Sequence, residues 1–208
     1  VVADSSANLM ELKTVAFDAA PLKIITAERE FVDNRELDLN EMIHFFKSYK
    51  GKSQTSCPNP DDWLTAFGDG EDIFCVTITS GLSGSYNAAC IARDMYEAEN
   101  PGARVYVIDS LSAGPELTLI VEKLEELMGQ DLSFEEISNR IFEYQQKTGL
   151  LFMLESLKKF QHSTVQVDDV GILAEQRILD EVAAVDHVEV FVGAHRLVQR
   201  GHVALEFT

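Results

Sequence analysis

The stretch Asp72-Ile-Phe-Cys-Val-Thr-Ile-Thr-Ser-Gly-Leu-Ser-Gly-Ser-Tyr86 decides the fold. Its first half, residues 73–78, is mostly apolar and β-branched, which predicts a buried strand. A loop of glycines and hydroxyl residues follows, and we expect a helix to begin near Ser83. A strand that leads through such a loop into a helix brings unpaired backbone N–H groups and the positive end of the helix dipole to one point. The sequence therefore predicts a site for an anionic head group, either a phosphate or a carboxylate.

The charge of the chain limits its partners. The formal net charge is −18 over 208 residues. Phosphate-rich partners are bound by clusters of Lys and Arg, so this acidity argues against nucleic acid or an anionic membrane as partner. No apolar run reaches the length of about 18 residues that a transmembrane helix needs. The start of the chain shows no basic leader, and we therefore expect a cytoplasmic protein.

The cysteines indicate neither a disulfide framework nor a zinc site. There are three of them, at positions 57, 75 and 90, an odd number without CxxC spacing. The five histidines show no H-E-x-x-H or similar pairing. We accordingly expect no metal and no cofactor.

Strand and helix patterns alternate along the chain, which predicts an α/β fold with a mainly parallel sheet flanked by helices. Strands are predicted at residues 1–3, 22–27, 73–78, 103–110, 150–154, 188–192 and 203–207. Helices are predicted at 38–49, 61–67, from 83, at 115–128, 133–147 and 178–185. We expect an N-terminal α/β lobe over residues 1–155 that carries the Ser/Gly loop, and a smaller, partial α/β lobe over 156–208.

Three of the predicted strands end in turns that carry serine, at residues 4–6, 79–81 and 109–110. In an open α/β sheet, ligands bind at the carboxyl ends of the strands. For the turns that begin at Asp4 and Asp109, we favour the simpler interpretation that Asp and Ser cap the following helices. For the loop over residues 80–85 we favour a ligand site.

Five sequence blocks resemble the DegV family when they are taken in order, over about residues 1–160. They are Asp4-Ser-Ser-Ala-Asn8, Gln54-Thr-Ser-Cys-Pro58, Thr77-Ile-Thr-Ser-Gly-Leu-Ser-Gly-Ser-Tyr86, Val107-Ile-Asp-Ser-Leu-Ser-Ala-Gly114 and Thr148-Gly-Leu-Leu-Phe-Met-Leu-Glu-Ser-Leu157. The resemblance implies a two-domain α/β protein that binds a fatty acid. It further implies a place as the binding subunit of a bacterial fatty acid kinase, which is the role of some family members.

The resemblance also implies where the ligand carboxylate binds. Ser80 and Thr55 would hold it, and the residues beside them would lie close to it. Hydroxyl and helix-start N–H donors suit a carboxylate without any Lys or Arg. A closing family segment that brings a histidine to the head group is matched in part by residues 192–205, and His195 fits it better than His202. The expected ligand-binding residues are thus Thr55, Ser56, Ser80, Gly81, Ser83 and His195.

We interpret the chain as a non-catalytic carrier of a long-chain fatty acid, such as palmitate or oleate, that presents the carboxylate to a fatty acid kinase. The acyl tail is expected between the two lobes. One alternative is a serine hydrolase, because Gly81-Leu-Ser-Gly-Ser85 resembles a nucleophile elbow, with Ser83 as nucleophile and Asp109 and His195 as partners. The other is a phosphate-recognising small-molecule enzyme, although the loop lacks the lysine of a P-loop.

Overall fold

A computed structural model describes residues 1–153, 187–192, 196–199 and 202–205. The chain divides into two units, Val1–Ile137 and Ser138–Thr208. The lobe boundary expected between residues 155 and 156 stays a prediction. The strands are β1 (Val2–Asp4), β2 (Asp18–Ala20), β3 (Lys23–Thr26), β4 (Glu30–Val32), β5 (Ser53–Ser56), β6 (Asp72–Thr77), β7 (Arg104–Asp109), β8 (Thr148–Met153), β9 (His187–Val192), β10 (Arg196–Gln199) and β11 (His202–Leu205). The helices are α1 (Leu39–Ser48), α2 (Pro60–Phe67), α3 (Ser85–Glu99), α4 (Pro115–Met128) and α5 (Phe134–Gln145), with a 3-10 turn at Ser5–Ala7.

The first unit is built on a parallel sheet with the strand order β2-β1-β6-β7. Strand β6 is buried along almost its whole length because its side chains alternate between two covered faces. Cys75 belongs to the core that α2 and α3 complete on one face. Phe74 points to the other face, where its ring lies 4.7 Å from that of Phe134 in α5. The expected fold class, a mainly parallel sheet flanked by helices, is confirmed.

A second, antiparallel sheet of the same unit has the order β4-β3-β5. Its register aligns Phe31, Ile24 and Thr55 in one row across the three strands. Helix α1 packs on the sheet through aromatic contacts, with the Phe31 ring 5.3 Å from that of Phe45 and 5.6 Å from that of Phe46. Of these three strands the sequence predicted only β3, since β4 is short and β5 consists of polar residues.

The helix predictions for residues 1–153 are confirmed with shifts at their ends. Helix α3 begins at Ser85, two residues later than expected. The capping box predicted for α5 is present: Ser133 Oγ accepts the Glu136 amide at 3.3 Å, and Glu136 Oε2 accepts the Ser133 amide at 2.9 Å. Asp38 caps α1 by accepting two backbone amides of its first turn. Among the described residues no helix is both long and apolar enough to cross a bilayer.

The second unit carries a mixed sheet with the order β8-β9-β11-β10. The pairs β8–β9 and β9–β11 are parallel, whereas β10 and β11 form an antiparallel pair. The three strands predicted in this region are present within two residues of the expected bounds, and β10 is an additional strand. The helix predicted at residues 178–185 lies outside the described residues.

Candidate functional site

A cleft of about 680 Å³ lies within the first unit, where the antiparallel sheet, α1 and the loop after β6 meet. This volume is within the usual range of small-molecule sites. The polar lining includes three hydroxyl residues, Thr55, Ser56 and Ser83. The apolar lining residues are Leu22, Ile24, Phe31, Leu37, Leu39, Met42, Ile78 and Leu82. A cleft that is apolar over most of its walls and carries hydroxyls on two of them suits a ligand with an apolar body and a small polar end.

The charged residues of the cleft lining are Lys23 and Asp33. The Lys23 ammonium lies 3.3 Å from a carboxylate oxygen of Asp62 in α2, and both side chains are about one-fifth exposed. The lysine charge is therefore already balanced within the protein. Among the described residues of the lining, an anionic ligand would therefore depend on hydrogen bonds from the hydroxyls rather than on an unpaired cation.

The structure brings three of the six expected ligand-binding residues to the cleft and leaves two outside it. Thr55, Ser56 and Ser83 are lining residues, whereas Ser80 and Gly81 lie on the exposed outer part of the same loop and are not among them. His195 lies outside the described residues. The weaker candidate, His202, is the first residue of β11 in the second unit.

The sequence predicted unpaired backbone amides in this loop, and the structure contradicts that prediction for residues 80–83. The Ser80 amide donates to Asp109 Oδ1 at 3.1 Å, and the Gly81 amide donates to Thr79 Oγ1 at 3.3 Å. The amides of the next two residues both donate to the Thr79 carbonyl, at 3.1 and 3.2 Å. The loop closes as a turn in which these amides already have acceptors within the protein. Hydroxyl groups are therefore the better donors for a ligand at this part of the loop.

The expectation that Asp4 acts simply as a cap for the following turn is also wrong. Its side chain is fully buried, and Oδ2 accepts the Ile78 amide at 2.8 Å and the Ser85 hydroxyl at 2.7 Å. Oδ1 accepts the Ser6 hydroxyl at 2.5 Å. Burial raises the pKa of Asp4, while these hydrogen bonds act to lower it. The carboxylate thus ties the end of β1 to the loop after β6.

The capping interpretation is wrong for Asp109 as well, since helix α4 begins after Gly114 without a side-chain cap. Asp109 Oδ1 instead accepts the amides of Ser80 and Leu111, each at 3.1 Å. Leu111 has a φ of 56°, so the backbone turns back sharply just after β7. Both aspartates could have been suspected from the sequence, because each ends a strand at the edge of the sheet where ligands bind.

The described residues do not assemble a hydrolytic triad around Ser83. The Ser83 hydroxyl accepts the Ser85 amide at 3.2 Å, and the Asp109 carboxylate accepts the backbone amides of Ser80 and Leu111. In the part of the chain that the structure describes, no group of three or more His, Cys, Asp or Glu residues is arranged to hold a metal ion.

Comparison with known proteins agrees with the five blocks. A model of the DegV family, whose description is "uncharacterised protein", matches residues 1–164. This chain belongs to the DegV family. A DegV domain-containing protein of Streptococcus pneumoniae is 45% identical over 158 residues, which are 74% of this chain and 56% of that protein. The chain thus spans little more than half the length of the curated relatives that it matches.

Two solved structures resemble this member of the DegV family closely. A DegV family protein from Eubacterium eligens, loaded with heptadecanoic acid, is 46% identical with a TM-score of 0.68; the match covers 70% of this chain and 53% of that one. The Streptococcus pneumoniae Fatty Acid Kinase (Fak) B3 protein, loaded with linoleic acid, is 44% identical with a TM-score of 0.68 and the same coverage. The resemblance expected from the sequence is confirmed.

Proposed function

We propose that this chain is a non-catalytic carrier that binds a long-chain fatty acid, with the acyl tail in the cleft of the first unit. The observation that carries the proposal is the combination, in one cleft, of apolar walls with the hydroxyls of Thr55, Ser56 and Ser83. Two relatives that are 46% and 44% identical hold heptadecanoic and linoleic acid. From the sequence, the acyl tail is expected between the two lobes. That expectation stays a separate prediction about where the tail lies.

The physical chemistry of the cleft fits an acid of this kind. Each CH₂ of the tail that leaves water contributes about 0.8 kcal/mol, so a long chain supplies most of the binding energy. The carboxylate must keep hydrogen bonds when it enters the cleft, and each bond from a hydroxyl to a charged oxygen is worth about 1.5–3 kcal/mol. Hydroxyl donors suit this chain, because its net charge of −18 offers an anion no general attraction.

Ser80 and Gly81 are proposed to lie at the outer end of the head-group site. Both are exposed, on the loop that also supplies the lining residues Leu82 and Ser83. A carboxylate near this part of the loop would be accessible to another protein. By analogy with the Fak B3 protein, we propose that a fatty acid kinase is that partner and that the carrier itself needs no nucleotide.

The first experiment is native and denaturing mass spectrometry of the purified chain. We expect a co-purified or added mass that matches a long-chain fatty acid and is lost on denaturation. A protein that is free of fatty acid and takes up neither palmitate nor oleate would contradict the proposal.

Variants of the hydroxyl residues then locate the head group. Thr55→Val and Ser83→Ala should each weaken oleate binding by about tenfold, since each removes one hydrogen bond to a charged oxygen. Ser80→Ala tests the outer end of the site in the same assay. Ser53→Ala is the matched control, because this serine lies in the same strand as Thr55 but is not a lining residue. Ester hydrolysis that Ser83→Ala abolishes would instead support the hydrolase.

A further inference from the structure

Two aspartates flank the loop that carries the proposed head-group site, one on each side of β6. Strands β1 and β7 are the two neighbours of β6 in the parallel sheet. Ala3 pairs with Val76, and Thr77 pairs with Asp109. Asp4, Thr77 and Asp109 therefore end their strands in one row, directly beneath the loop over residues 78–85.

Asp4 holds the loop at both of its ends. Its Oδ2 atom accepts the Ile78 amide, where the loop leaves β6, and the Ser85 hydroxyl, where the loop enters α3. Both Asp4 and Ser85 are fully buried. Burying a carboxylate is costly unless donors surround it, and an apolar side chain would avoid that cost. The cost of burying the Asp4 carboxylate is offset here by donors from Ser6 and from the loop, at Ile78 and Ser85.

Asp109 holds the middle of the loop through the Ser80 amide at 3.1 Å. The segment after β7 adds a second tie, because the Thr79 amide donates to the Ser112 carbonyl at 2.8 Å. The outer part of the loop is thereby fixed to the end of β7. Asp4 and Asp109 contact different parts of the loop, so each can be tested separately.

The Asp4 contact leads directly to a proposed ligand contact. Ser85 donates its hydroxyl proton to Asp4, and its backbone amide donates to Ser83 Oγ at 3.2 Å. A hydroxyl that accepts a hydrogen bond keeps its single proton for another partner. The Ser83 hydroxyl, which lines the cleft, is therefore set to donate into it. A carboxylate is the kind of ligand that needs such a donor.

We propose that Asp4 and Asp109 are positioning residues that hold the loop over residues 78–85, and with it the Ser83 hydroxyl, in the shape that binds the fatty-acid carboxylate. The inference rests on the proposed function. Neither aspartate touches the ligand; each acts through the loop. Because the loop is already ordered, less of the binding free energy is lost in ordering it when the fatty acid binds.

The test compares loss and rescue at each aspartate in the full chain, with oleate carrying ¹³C at its carboxyl carbon as the probe. Asp4→Ala removes every hydrogen bond of the side chain, whereas Asp4→Asn keeps an oxygen that can accept from Ile78 and Ser85. We expect Asp4→Ala to raise the Kd for oleate by about tenfold and to shift the ¹³C resonance of the bound acid, and Asp4→Asn to restore most of both. Asp109→Ala should likewise raise the Kd for oleate and shift the ¹³C resonance, but by less than Asp4→Ala does. Asp109→Asn should restore most of both.

Asp72→Asn is the matched control, because Asp72 begins the same strand β6 at its far end and pairs with Arg104 on the surface. It should leave the Kd and the ¹³C resonance unchanged. If Asp4→Ala does not fold, Ser85→Ala takes its place, since it removes the hydroxyl that links Asp4 to the loop. Alanine variants that melt at a lower temperature but bind oleate with unaltered Kd and resonance would overturn the inference and leave the carrier function standing. A wild-type chain that binds no oleate would overturn both.

Discussion

The two sheets of the first unit differ in how completely they are buried. We infer that the more buried sheet contributes mainly to stability and that the more open one contributes mainly to binding. Strand β6 of the parallel sheet is buried from Ile73 to Thr77 and covered on both faces. The antiparallel sheet and α1 are more open: α1 has no fully buried residue, and Leu39 and Ile43 on it are 58% and 49% exposed. A densely packed sheet supports the site, and a looser layer supplies the apolar wall of the cleft.

The largest expected effect concerns the stability of the parallel sheet. Phe74→Ala should lower the free energy of unfolding by about 3–5 kcal/mol, because it leaves a cavity where the ring is 1% exposed and packs on Tyr106 and Phe134. Ile43→Ala in the open layer should change it by no more than about 0.5 kcal/mol. Urea unfolding measures both. Equal losses in the free energy of unfolding for the two variants would show that the two layers contribute equally to stability.

The next effect concerns how α1 is held in place. Asp38 accepts the amides of Asn40 and Glu41 at 2.9 and 3.0 Å, and Asp38→Ala should cost about 1 kcal/mol. The helix has few buried contacts to compensate, so its amides should exchange with deuterium faster in the variant while those of α3 do not. Uniform exchange changes in both helices would contradict a separable open layer.

A smaller effect should appear in binding rather than in stability. Leu39 lines the cleft and is more than half exposed. Leu39→Ala should therefore leave the free energy of unfolding almost unchanged and weaken oleate binding several-fold, since it removes apolar contact with the tail. Ile43→Ala, on the same helix but away from the lining, is the control. An unaltered Kd for Leu39→Ala would place the tail elsewhere.

The same contrast explains how much the sequence predicted. The parallel sheet was predictable because buried strands such as residues 73–78 are apolar runs, and capping signals such as Ser133 with Glu136 define helix starts. Strand β5 was not predictable, since Ser-Gln-Thr-Ser has no apolar alternation and becomes a strand only by pairing with β3. Family resemblance singled out Thr55 within it before any strand was evident.

The roles of Asp4 and Asp109 were hidden for a different reason. An Asp after a strand is a common helix cap, and nothing local distinguishes a cap from a contact made 74 residues away, as Asp4 makes with Ile78. The contact exists because β1 and β6 are neighbours in the sheet. Long-range hydrogen bonds of this kind follow from topology, so they become visible only once the strand order is known.

The smallest effect should be a dependence of stability on pH that belongs to Asp4. Burial raises the pKa of Asp4 above its ordinary value of 3.8, and the hydrogen bonds that its carboxylate accepts from Ser6, Ile78 and Ser85 act to lower it. The folded chain therefore binds this proton more tightly than the unfolded chain. The Asp4 contribution to stability should be most favourable below pH 3.8 and decline as the pH rises from 3.8 through the raised folded pKa.

Asp4→Asn cannot titrate, so the melting temperature of the wild type relative to this variant should fall over that pH window and then become constant. The neighbouring Cys75 thiol does not interfere, because its own pKa is raised by burial and it stays neutral there. Calorimetry of both chains from below pH 3.8 to pH 8 gives the difference directly. A wild type that instead gained stability over the variant as the pH rose would mean that the loop donors outweigh burial, and that Asp4 holds the loop more strongly as a carboxylate than its surroundings suggest.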